Sequence, residues 1–144
     1  MECLLVSSCF AGYKTKYNGK DNYLDVINEL SKKYKLIYVC PEVVGGLTIP
    51  RNPSEIINDK VYSNQGVDVT FEYNKGAGVA LYLVKKYNIT KALLKESSPS
   101  CGSNTIYDGT FTGTKIKGMG ITARLLVSNG VKVYSENNVL ELLK

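Results

Sequence analysis

Ala92-Leu93-Leu94-Lys95-Glu96-Ser97-Ser98-Pro99-Ser100-Cys101-Gly102 is the stretch whose reading decides the fold. A short apolar run that gives way abruptly to polar residues predicts the end of a strand buried on both faces. The chain then leaves the sheet through Ser-Ser-Pro-Ser. There Pro99 has no N–H to offer a ladder and pushes Ser98 towards an extended conformation. The turn delivers a thiol at Cys101, and Gly102 lets the backbone curl closely round it. A cysteine carried out of a buried strand into a turn of hydroxyls is placed for chemistry more than for packing.

Outward from this stretch the pattern recurs twice. Cys3 to Ser8 reads as a first buried strand and ends at Cys9. Leu36-Ile37-Tyr38-Val39 reads as a second and ends at Cys40-Pro41-Glu42, where Pro41 stops the ladder. Lys91 to Leu94 makes a third strand and Val131 to Tyr134 a fourth. Leu24, Ile27, Leu30 and Tyr34 recur at helical spacing after a cap at Asp21 or Asn22, and a long helix runs from a cap at Asp68 or Thr70 to Tyr87. A third helix spans Ile121 to Ser128 and closes at Asn129-Gly130, and a last one covers Glu136 to Leu143. Ser54 to Ile57 is expected to begin a helical turn after Pro53, and Val61 to Val69 to form a small hairpin or excursion around Asn64-Gln65-Gly66. Ile106 to Gly113 is turn-rich and reads as another short hairpin. Gly76-Ala77-Gly78 lies inside the long helix, not directly after a strand, so it reads as close helix–sheet packing and not as a phosphate-binding fingerprint.

Strands alternating with helices imply one α/β domain over residues 1–144, a doubly wound, mostly parallel sheet of about four main strands with helices on both faces. Ligands of such sheets sit beyond the carboxyl ends of the strands. That rule brings Cys9, Cys40 and Cys101 to one rim although they are far apart in sequence.

Composition narrows the chemistry. No apolar run approaches the roughly 20 residues of a membrane span, so no membrane partner is expected. The chain opens directly into a strand, without the look of a signal peptide. A cytoplasmic location follows as the expectation, and there four cysteines read as metal-binding or catalytic before disulfide-forming. The chain has no histidine, which excludes Ser-His-Asp and Cys-His catalysis and every His-bearing zinc site. Proton transfer near neutral pH therefore falls to a carboxylate, lysine, tyrosine, thiol or water. The net charge of +5 comes with scattered lysines, which read as solvated surface.

Cys3 sits inside the first strand among apolar neighbours and reads as a small hydrophobe. The other three thiols, as thiolates, repel one another and need a cation, a metal or oxidation to coexist. Sulfur ligands without histidine favour iron–sulfur or zinc centres, and three ligands leave one position open. Glu42, two residues from Cys40, is the candidate for acid–base work. Ser98 and Ser100 are candidate hydrogen-bond donors, and Lys95 and Arg51 are candidates to hold a carbonyl or an anion. Three classes fit: an iron–sulfur enzyme, a three-cysteine zinc hydrolase using Glu42, and a metal- or cluster-binding redox or sensor module without turnover. A cysteine phosphatase would want an arginine six residues after Cys9, where this chain has Thr15.

Several motifs in this order carry a resemblance. They are Ser7-Ser8-Cys9-Phe10-Ala11-Gly12, Cys40-Pro41-Glu42-Val43-Val44-Gly45-Gly46-Leu47, Pro50-Arg51, Asp68-Val69-Thr70, Leu94 to Gly102, and Tyr107-Asp108-Gly109-Thr110-Phe111. Almost end to end, the chain resembles the small bacterial family, long catalogued as a domain of unknown function, that includes thiouracil desulfidase. The resemblance implies a [4Fe-4S] cluster held by Cys9, Cys40 and Cys101 with one open iron, which takes sulfur from a thiolated nucleobase. Sulfide and the oxo base are the implied products. It also maps the family's acidic residue onto Glu42 and its site serine onto Ser98. Some members are joined to a larger domain and linked to thiolated tRNA. The short single-domain form fits a free base or nucleoside better than tRNA. Phe10, Ala11 and the Tyr13 to Tyr17 stretch depart from the family pattern and bear on the shape of the pocket.

Overall fold

The computed structural model describes residues 1–144. Strand β1 (Glu2–Ser7) lies at the centre, and its Leu4, Leu5 and Val6 are fully buried. Each such side chain contributes about 1.5–3 kcal/mol over leaving it in water. β1 pairs in parallel with β2 (Tyr34–Val39) on one side and with β5 (Lys91–Leu93) on the other, and β5 pairs in parallel with β8 (Lys132–Tyr134). The strand order is β2-β1-β5-β8. Successive residues of a strand point to opposite faces. Leu4 and Val6 accordingly join one core with Leu30 of helix α1 (Val26–Lys33) and Leu142 of the C-terminal 3-10 turn (Val139–Leu143). Leu5 joins a second core with Ala80 and Val84 of α3 (Thr70–Lys86) and Leu126 of α4 (Ile121–Ser128). The sheet is thus covered on both faces, and no helix is long and apolar enough to cross a membrane.

Two local expectations need correction. The first helix begins at Val26, not at Asp21 or Asn22, and Tyr34 is already the first residue of β2, where its hydroxyl donates to Leu142 O at 2.9 Å. Ser54–Ile57 is strand β3, not a helical turn, and pairs antiparallel with β4 (Lys60–Ser63). The turn is Asn58-Asp59, with both residues at positive φ (50° and 64°). That is the two-residue geometry which matches strand twist, and the β-branched pair Ile56-Ile57 favours the strand. The small hairpin or excursion expected over Val61 to Val69 is present: Tyr62 and Asp68 form an antiparallel bridge, Ser63 N donates to Val67 O and Val69 N to Val61 O, both at 2.9 Å. The remaining departures are smaller. The chain after Cys40 makes a short helix α2 (Pro41–Val44), and the last helix is reduced to its 3-10 turn.

A second hairpin, β6 (Thr105–Tyr107) with β7 (Lys115–Lys117), overhangs the carboxyl end of the sheet. Gly76 packs α3 against α2 and not against the sheet: a Cβ there would lie 1.9 Å from Pro41 O, and one on Gly45 would lie 2.0 Å from Glu72 O. The helix glycine therefore seats the segment that carries Cys40 and Glu42.

Candidate active site

β1 is the switch point of the sheet, since the chain leaves it towards β2 on one side while β5 and β8 lie on the other. Beyond the carboxyl ends of these strands opens a cavity of about 460 Å³, within the range of small-molecule sites. Cys9, Cys40 and Cys101 all line it, together with Glu42, Arg51, Lys95 and Ser98. Cys3 does not; it is half-buried on β1 against the second core.

Each thiol is held by its strand end. Cys9 sits on the 3-10 turn Ser8–Ala11 that follows β1, where Asn22 Nδ2 donates to its sulfur at 3.3 Å. Cys101 is 5% exposed and receives the Ser7 hydroxyl at 3.7 Å. Ser7 Oγ in turn accepts the Lys95 amide at 3.0 Å, tying the ends of β1 and β5 together. Cys40 caps α2, with Val44 N donating to its carbonyl at 3.0 Å and its own sulfur 3.8 Å from Thr15 O. Gly102 makes the close curl possible: a Cβ would lie 2.5 Å from Thr105 O.

Burial is the first cause that pushes all three thiols above their ordinary pKa. Hydrogen bonds from Asn22 to Cys9, from Ser7 to Cys101 and from the Val43 backbone to Cys40 offset part of this. The charge of Cys40 adds to the rise at Cys9, and those of Cys40 and Cys9 add to it at Cys101. Such a set binds a soft cation by giving up protons to it. A zinc site draws its sulfurs to about 2.3 Å of one ion, whereas a cluster spreads them over several irons. Three thiols gathered at one cavity, in a chain without histidine, are a donor set that fits an iron–sulfur cluster.

The wall beside Cys40 is charged. Glu42 Oε2 pairs with Arg51 at 2.5 Å, with side-chain exposures of 15% and 6%, and Oε1 accepts the Tyr73 hydroxyl. Arg51 also donates to Thr15 O at 2.9 Å and Thr48 O at 3.2 Å, so it binds the loop after β1 to α2. Tyr73 is raised well above its usual pKa by burial, by the charge of Glu42 and by its bond to that carboxylate, which keeps it a donor. Tyr73 escaped the sequence reading. Its signal was the face of α3 it shares with Gly76, Ala77 and Ala80, all buried.

The Cys101 loop divides its serines. Ser98 Oγ accepts the amides of Ser100 and Cys101, both at 3.1 Å, which leaves its O–H as a donor. Ser100 is 1% exposed, and its hydroxyl is paired with Thr122 on α4 at 2.9 Å, a joint between loop and helix. Lys95 Nζ is matched by Glu136 at 2.7 Å and by Glu96 O at 3.0 Å. Glu96, also missed in the sequence, organises the loop. Its Oε1 accepts the amides of Ser97, Ser103, Asn104 and Thr105, and its Oε2 accepts from the Ser103 hydroxyl and Asn104 Nδ2. Burial opposes its ionisation, but the hydrogen bonds from Asn104, Thr105 and Ser97 outweigh that and bring its pKa down to about 2.

Known proteins resemble this chain along nearly its whole length. Residues 4–138 match the family described as 2-thiouracil desulfurase. The uncharacterized protein YbbK of Bacillus subtilis (strain 168) is 42% identical, over 97% of this chain and 99% of its own. The solved structure of the [4Fe-4S]-dependent thiouracil desulfidase TudS superposes with a TM-score of 0.94 at 40% identity, covering 99% of this chain and 96% of that one.

Proposed function

This chain belongs to the 2-thiouracil desulfurase family, and from that premise we propose that it is an iron–sulfur-dependent desulfidase. It converts a thiolated pyrimidine of the 2-thiouracil kind, with water, into the oxo base and hydrogen sulfide. The observation that carries this reading is that three soft ligands and one anchored carboxylate share a single cavity. Cys9, Cys40 and Cys101 would hold a [4Fe-4S] cluster there, and the chemistry it would supply is that of a Lewis acid for the substrate's sulfur.

The chain's own residues do the rest. Glu42 has a second lone pair on each oxygen, so it accepts a proton from the attacking water while Arg51 and Tyr73 hold it in place. It then returns the proton to the departing sulfur. The O–H of Ser98 donates to the base, and its oxygen keeps the Cys101 turn in shape. Lys95, matched by Glu136 and lining the cavity, is the donor placed to meet a carbonyl of the base, while Arg51 serves to hold Glu42. A free base or nucleoside suits a cavity of about 460 Å³ better than tRNA does. A reducing cytoplasm suits four cysteines of which none is paired.

Anaerobic reconstitution with iron and sulfide tests the reading. The loaded protein should show the broad visible absorption of an iron–sulfur cluster and release uracil and sulfide in equal amounts from 2-thiouracil. A loaded protein that leaves 2-thiouracil intact would instead be a cluster-binding sensor, and zinc in place of iron would overturn the cluster itself.

A further inference from the structure

We propose that Phe111 is the platform on which the pyrimidine ring of the substrate stacks, and that Glu55 is the residue that aims it. This deepens the desulfidase reading and rests on it. Five residues other than glycine adopt a left-handed backbone: Asn58, Asp59, Asn88, Ser97 and Phe111. Asn and Asp tolerate that conformation through their short polar side chains, whereas for a bulky side chain it is a genuine outlier that persists only when its surroundings impose it. The two that are neither Asn nor Asp both line the cavity. Both also have their amide held at 3.2 Å by a buried glutamate, Ser97 by Glu96 and Phe111 by Glu55. At Ser97 the device shapes the loop that presents Cys101.

At Phe111 the same device shapes the tip of the β6–β7 hairpin. Glu55 is 8% exposed, and its Oε1 also accepts the Gly109 amide at 2.9 Å. Gly109 lies so close to β3 that a Cβ would be 2.9 Å from Ile56 O, which leaves the tip little freedom. The ring these contacts orient belongs to neither apolar core, yet it is half-buried and lines the cavity. The other aromatic ring of this hairpin in the cavity, Tyr107, already lies under Lys115 Nζ at 5.6 Å from its centroid. An apolar ring that lines the same cavity as the thiols and Glu42 offers a planar face, and a planar heteroaromatic base is the ligand that such a face recognises.

The test uses the cluster-loaded enzyme. Equilibrium dialysis measures the affinity for uracil and for 5,6-dihydrouracil, which keeps the polar edge but has a puckered ring. Steady-state kinetics on 2-thiouracil accompany it. The wild type should prefer uracil over dihydrouracil by about tenfold or more, the worth of base–aromatic stacking. Phe111→Leu should weaken uracil by about that factor, leave dihydrouracil nearly unchanged, and raise KM more than it lowers kcat, with the cluster spectrum intact. Phe111→Tyr should restore the preference, and Glu55→Gln should reduce it part of the way. Equal affinity of the wild type for the two ligands overturns the platform, whatever the variants do. So does a Phe111→Leu enzyme that loses both ligands equally or neither, since Phe111 would then be a wall that only excludes water. A wild type that binds neither uracil nor 2-thiouracil overturns the pyrimidine reading itself, and the platform with it.

Discussion

The two walls of the cavity differ in kind. On the side of β1 and β5, Cys9 and Cys101 are met by neutral donors, the Asn22 amide and the Ser7 hydroxyl. On the side of β2, Cys40 stands next to an ion pair, Glu42 with Arg51, buttressed by a buried phenol at Tyr73. Neutral donors steady a sulfur without competing for its charge, which suits a ligand that must meet a metal. A carboxylate fixed by two donors keeps its orientation while a proton comes and goes, which suits acid–base work. On the proposed function the difference is a division of labour: one wall would mainly hold the cluster, while the other would hold it and also move protons. The Cys101 loop shows the same economy on a smaller scale, since a buried carboxylate, Glu96, does for its backbone what a bound anion would otherwise do.

The sharpest way to break this comparison is to remove the ligands. Cys9→Ser, Cys40→Ser and Cys101→Ser should each lose iron and turnover altogether, because a cluster left with two protein thiolates is poorly held. Cys3→Ser, on β1 away from the cavity, should keep both. Iron analysis and the visible spectrum check it, and wild-type iron in Cys40→Ser would remove the charged wall from the ligand set.

A smaller effect separates the walls. Glu42→Gln should keep the cluster spectrum while turnover falls by about 10²–10⁴, the usual worth of a positioned acid or base. Tyr73→Phe removes only one of the donors to Glu42 and should lower turnover by roughly tenfold. A changed cluster spectrum in Glu42→Gln would make Glu42 an iron ligand. A normal rate with a normal spectrum would leave the proton to water, Lys95 or Tyr107.

The smallest effect concerns the loop clamp, and its sign follows from the pKa. The carboxyl of Glu96 falls from an ordinary 4.5 to about 2 on folding, so it stabilises the native state fully above about pH 4.5. That contribution fades as the pH drops towards 2. Discounted for contact with solvent, it is about 2 kcal/mol. Urea unfolding of the wild type and Glu96→Gln should therefore differ by about this amount at pH 6 and converge near pH 2. A difference that stays constant with pH would mean that the clamp works without its charge.

Much of the fold was legible because burial on both faces leaves unbroken apolar runs in the sequence. Leu4-Leu5-Val6 and Ala92-Leu93-Leu94 are continuous apolar runs, and only a strand covered on both faces needs that pattern. Their ends, and the end of β2, place three cysteines at one rim. Ser54–Ile57 defeated the local reading because Pro53 marks a helix start as readily as a strand start, and Asn58-Asp59 was not read as a hairpin turn. Helix α1 was drawn too long at both ends because Leu24 and Tyr34 extend its apolar spacing without belonging to it.

By itself, then, the amino-acid sequence determined the parallel sheet, the helices on its faces, the strand-end thiols and the absence of histidine chemistry. Each follows from residue type and spacing along one stretch of chain. The tertiary structure alone decided that Tyr73 steadies Glu42, that Glu96 and Glu55 clamp the loops bearing Ser97 and Phe111, and that Ser100 faces Thr122. A buried polar group must find a partner, but which partner depends on which loops the sheet brings together. Glu55 and Phe111 are 56 residues apart, and no local pattern in either segment names the other.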